Sequence, residues 1–72
     1  MIAPVMLVRY LAEAERHVKS GRDILAVQRQ LIARLEKGGR NAKAQKAMLG
    51  LFEQIQRSFL ARRIRILKDL DI

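Results

Sequence analysis

His17, Ser20 and Asp23 are the residue types of a hydrolase triad, set at intervals of three. A working triad needs the histidine between nucleophile and acid, with all three side chains converging. At this spacing on a helix they sweep around the cylinder instead. Nucleophilic catalysis is therefore not expected, and the chain reads as a non-enzyme. Glu13 lies four residues before His17, on the same helical face, which suggests a base or a ligand pair. Metal sites in helical bundles take carboxylates from several helices plus Glu-x-x-His pairs. The only glutamate on the second helix is Glu53, far from the level of His17, and there is no cysteine. No metal or other cofactor is expected, and His17 reads as a histidine at the edge of an apolar seam, its ring packed and its nitrogens meeting a carboxylate or water. Gly38-Gly39 has no adjoining strand and no following Lys-Ser/Thr, so it is a helix stop and not a phosphate loop.

Charge is the most informative functional feature. Fifteen Lys and Arg against seven Asp and Glu leave +8 on 72 residues. Arg34, Lys37, Arg40, Lys43 and Lys46 gather around the Gly-Gly segment with only Glu36 to oppose them, whereas Arg57 to Lys68 has Glu13, Glu15, Asp69 and Asp71 nearby. The first group is a candidate for contacts with the phosphates of nucleic acid or anionic lipid, in a salt-dependent way. No zinc finger or aromatic stacking platform supports sequence-specific readout. The alternative is a solvated basic surface.

These residues must be carried by helices. Half of the chain is apolar, 4% is aromatic and 31% is charged, a composition that argues against both disorder and a small β-barrel. Lys37-Gly38-Gly39-Arg40-Asn41 is the one strong punctuation mark, with glycines suited to a left-handed helix end and Asn41 suited to cap the next helix. One helical-hairpin domain over 1–72 follows: a helix over about 4–37 with Pro4 in its first turn, a loop at 38–41, and a helix over about 42–70. Ser20-Gly21-Arg22-Asp23 has capping-box spacing and could break the first helix. Phase opposes this. With Leu11 as heptad position a, Leu11, Val18, Leu25 and Ile32 fall at a, and Ala14, Gly21, Gln28 and Leu35 at d, with Tyr10, His17, Ile24 and Leu31 flanking at g, without a slip. Gly21 then becomes a weak point or a close approach for another helix. A short loop makes the helices antiparallel, so residues whose numbers sum to about 79 lie level.

In the second helix, Met48, Phe52, Ile55, Phe59, Ile66 and Leu70 form one packing seam at 100° per residue. Leu49, Leu60, Ile64 and Leu67 form a second line, with Gln56 and Arg63 between the two. One partner helix covers one line. A chain of this length is also marginal as a single core, with no disulfide to help it. Both considerations predict an all-α antiparallel hairpin that pairs with itself into a four-helix bundle, as a homodimer or higher. The self-association seam is expected to draw on Leu49, Phe52, Phe59, Leu60, Ile64 and Leu67. Gln28, polar at a core position, either fixes register or points to the wet edge of the seam. Arg63, level with His17, meets Glu13, Glu15 or His17 as a structural pair, or else serves as an anion site.

The apolar start, Met1 to Val8, has no basic residue before it and ends at Arg9, so it does not read as a secretory signal. No window approaches the roughly 20 uncharged residues of a membrane span. The expected setting is cytoplasmic, without a membrane. The run Ala14-Glu15-Arg16-His17-Val18, Gly21, Gln28-Arg29, Leu31 to Glu36 and Gly39, then Met48-Leu49, Phe52 and Arg63 to Leu67, resembles short helical proteins of rhizobia and related alphaproteobacteria that have no assigned activity. The resemblance implies two helices and a bacterial cytoplasm, and no function. The functional expectation is a self-associating scaffold or module for an unidentified protein partner. The alternative is a small basic regulator that contacts nucleic acid through the hairpin tip.

Overall fold

A computed structural model describes residues 3–71. Helix α1 runs Pro4–Lys37 and helix α2 runs Lys43–Asp69, packed antiparallel against each other. Pro4 opens α1 where a backbone N–H has no helical partner in any case. The helix continues unbroken through Ser20 and Gly21, as the heptad phase requires. Its end is a Schellman motif. Gly39 takes φ +72°, its N–H donates to Glu36 O, and the Arg40 N–H donates to Leu35 O at 2.8 Å. Asn41 Oδ1 accepts the Lys43 N–H at 2.9 Å in an Asx turn, and Ala42, not Asn41 as the sequence suggested, is the N-cap of α2. The loop is 38–42, one residue longer than the sequence suggested, and Ala42 is buried beneath it.

The α1 side of the interface follows the heptads. Leu7, Ala14, Val18, Leu25 and Ile32 are its buried residues, with Leu11, Gly21, Gln28 and Leu35 half-buried on the same seam. On α2 the seam differs from the expected one. Leu49, Phe52, Gln56, Phe59, Arg63, Ile66 and Leu70 alternate at spacings of three and four and face α1. Met48 and Ile55, expected in this seam, are instead 50% and 48% exposed. The physical reason is the period. Two long helices that keep contact follow a 3.5-residue repeat, and over twenty residues this drifts away from the straight 3.6-residue face on which Met48 and Ile55 appeared.

The molecule is a rod of 54 × 15 × 15 Å with a radius of gyration of 16.4 Å. A compact domain of this length would have a radius of about 11 Å. Among the described residues no side chain of the hairpin is wholly withdrawn from solvent.

Candidate functional site

The two sides of the hairpin differ chemically. On one flank Glu15, Arg29 and Glu36 of α1, all in one heptad line, pair with α2. Arg63 Nε donates to Glu15 Oε1 at 2.7 Å, Arg29 lies 3.6 Å from Glu53, and Lys46 lies 2.7 Å from Glu36. Each pair is at least one-third exposed, so each adds only about 0.2–1 kcal/mol; together they favour this register and keep the flank wet. Leu60 and Ile64, expected in the self-association seam, are exposed on this flank beside Arg63. Leu49, Phe52 and Phe59, expected with them, are half-buried within the hairpin's own seam, and Leu67 is half-buried at its edge.

The opposite flank is apolar. A cavity of about 200 Å³ opens there, lined by His17, Gly21, Ile24, Phe52, Ile55 and Phe59. Toward the tip the same helical lines carry Val27, Leu31, Met48 and Leu51. Val27 and Leu51 are 58% and 60% exposed. Both helices contribute to this surface, whereas on the paired flank Leu60 and Ile64 stand level with charged residues of α1. Sequence reasoning placed Ile24 and Leu31 only as flanking residues and did not single out Val27 or Leu51. The signal was their i, i+3, i+7 spacing with Ile24 and Met48, on a face the assumed period had already assigned elsewhere.

His17 packs its ring on Phe59, with centroids 4.9 Å apart and planes 31° apart. It is half-buried at the mouth of the cavity, and among the described residues no group of three or more His, Asp or Glu side chains is placed to hold a metal. Arg63, level with His17, selects Glu15 and not Glu13. Gln28 is half-buried in the seam, and its Oε1 is out of contact with solvent and accepts no hydrogen bond. Gln56 is the buried polar residue that sequence reasoning missed. Its Nε2 donates to Val18 O at 2.9 Å, a bond between the two helices.

At the tip, Lys46 is engaged by Glu36. Arg34, Lys37, Arg40 and Lys43 are exposed, and among the described residues none of the four has a carboxylate within 4.0 Å. Lys37, Arg40 and Lys43 lie around the end of the rod, and Arg34 ends the outer line of the apolar flank. No family model, curated protein or solved structure matches the chain. No helix among the described residues is long and apolar enough to cross a membrane.

Proposed function

We propose that the protein is a non-enzymatic, self-associating helical module in which the apolar flank of one hairpin packs against a second copy to complete a four-helix bundle. The observation that carries this reading is surface area. The hairpin exposes 5749 Å². A compact monomer of 8.3 kDa exposes about 4,600 Å². The excess, roughly 1,100 Å², exceeds the ~800 Å² that each partner contributes to a standard protein interface. Ile24, Val27, Met48, Leu51 and Ile55 are among the large apolar side chains that face water, and these five share one flank. In this proposal the bundle acts in the cytoplasm, and the resemblance to short rhizobial helical proteins adds a bacterial setting. Its free surfaces would present charge to a further protein partner.

Ile55→Glu tests the reading. In a lone hairpin that side chain is about half exposed, so a carboxylate there is tolerated. Inside a bundle it is buried without a partner. The parent is expected to sediment at twice the 8.3 kDa chain mass. The variant is expected to weaken association by about 100-fold, or ~2.7 kcal/mol. A parent that sediments as a monomer and still melts cooperatively at micromolar concentration would overturn the reading.

A second reading rests on the tip. Four cations without ion pairs at one end of a rod would attract phosphates, and a nucleic-acid-associated regulator would use them. Tight retention of DNA or RNA near physiological salt would favour it.

A further inference from the structure

The four-helix reading leaves two ways to place the second hairpin, with tips at the same end or at opposite ends. We infer that the two hairpins dock with their tips together, related by a two-fold axis along the rod, so that each α1 packs between its own α2 and its partner's α2. This inference rests on the self-association reading and adds its geometry.

The apolar flank is not uniform along its length. Its outermost line on α1 is Glu13, Ser20, Val27 and Arg34, seven residues apart, and on α2 it is Ala44, Leu51, Ser58 and Arg65. Level residues in the hairpin sum to about 78, as in Glu15 with Arg63, the value lying between His17 with Phe59 on one side and Arg29 with Glu53 on the other. A two-fold along the rod keeps the partner's α2 at the level of the chain's own α2. Val27 then meets Leu51, Ser20 meets Ser58, and Glu13 meets Arg65. On the inner lines, Ile24 meets Ile55 and Leu31 meets Met48. Ile24, Val27 and Leu31 thus meet Ile55, Leu51 and Met48, and Glu13 meets its opposite charge in Arg65; at the ends of these lines Arg34, whose exposed guanidinium reaches solvent at the tip, meets Ala44, and exposed Arg62 meets His17. Glu13 and Arg65 have no ion pair within their own chain among the described residues, so both are available.

The reverse placement fails on the same lines. With full overlap and opposed tips, α1 lies along the partner's α1, which sets Val27 against Glu13. Likewise α2 lies along α2, which sets Leu51 against Arg65. Sliding the hairpins until the apolar halves coincide removes those clashes but leaves the open half of each rod uncovered. Bringing two basic tips together costs repulsion, yet those cations are solvated and screened beyond about 10 Å, whereas an apolar side chain held against a buried charge has no such relief.

The chain has no cysteine, so single introduced thiols report the geometry cleanly. Ser20→Cys and Ser58→Cys chains, both changed at exposed positions, are mixed in equal amounts in a glutathione redox buffer. The expected product is a disulfide between one chain of each kind, with neither variant linking to itself. Self-linked Ser20→Cys, or self-linked Val27→Cys in a third sample, would overturn the tips-together geometry, since those positions meet their own copies only when the tips are opposed. Glu13→Arg is expected to weaken the dimer several-fold, and adding Arg65→Glu in the same chain to restore it; no rescue would count against the pairing. Sedimentation of the unmodified parent separates the two levels. A dimer with the wrong linkage removes only this geometry, whereas a monomer removes the self-association reading and the geometry together.

Discussion

Gln56 crosses the hairpin opposite Gly21, where α1 has no side chain to stop it. A Cβ at residue 21 would overlap Gln56 Oε1, so the interhelical bond from Gln56 to Val18 O exists because residue 21 is glycine. A glycine inside a helix costs roughly 0.5–1 kcal/mol relative to alanine. Here the glycine admits a close approach of the two helices and one buried polar bond, while Gln56 Oε1 is itself buried and accepts no hydrogen bond.

Gly21→Ala is therefore expected to destabilise the protein despite its better helix propensity. The displaced Gln56 amide loses its partner and the seam is overpacked, a combined loss of about 1–3 kcal/mol in urea denaturation. Gly50→Ala is the control. Nothing lies within 4 Å of a Cβ built there, so the same substitution is expected to stabilise by about 0.5–1 kcal/mol.

Arg63→Met tests whether the seam needs a charge. Met replaces the apolar stem of the arginine in the seam, and Glu15 remains solvated at 47% exposure, so stability is expected to change by less than about 1 kcal/mol. A double-mutant cycle with Glu15→Gln should return a coupling of about 0.2–1 kcal/mol that shrinks with salt. A larger coupling would show that the pair is shielded from solvent in the assembled protein.

How much of this was legible in the sequence depended on the helix. The α1 seam could be read from Leu11, Val18, Leu25 and Ile32 because its a positions are all apolar and keep their seven-residue spacing without interruption. On α2 the a positions include Gln56 and Arg63, which look like surface, while Met48 and Ile55 look like core. Hydrophobicity pointed to one face, and contact with α1 selected the neighbouring one. The Gly21 close approach was visible as a possibility, but its occupant was not, since a glutamine that bonds to a helix carbonyl has no signature of its own. The polarity of the paired flank emerged only once the level of each residue was fixed.

Self-association between two chains of net charge +8 is expected to tighten as salt rises. Between about 20 and 300 mM salt the sedimentation dissociation constant should fall, because mutual repulsion is screened while the apolar contact persists. An interface held mainly by ion pairs would show the opposite trend.

Any nucleic acid retained at low salt is expected to be released steeply as salt is added. Replacing Lys37, Arg40 and Lys43 together by Gln should flatten the slope of log K against log salt by about 0.7–0.9 per lost contact. Folding should be unaffected, since all three are exposed and none holds an ion pair among the described residues. Lys46 is left in place because it is engaged by Glu36.

The loop at 38–42 closes one end of the rod covalently, whereas the other end is held only by side chains. Closing so short a loop takes on the order of 10–100 ns, so the first tertiary contacts form beside it and the helices zip from there. Level with Leu35 a local fluctuation re-forms at once, because the partner helix cannot drift away. Near Leu7 and Leu70 nothing tethers the helices, and separation there needs no opening elsewhere. Amide exchange should therefore be graded along each helix, slowest toward the loop side of Gln56 and fastest at the open end, giving the hairpin a polarity in time that its straight outline does not reveal.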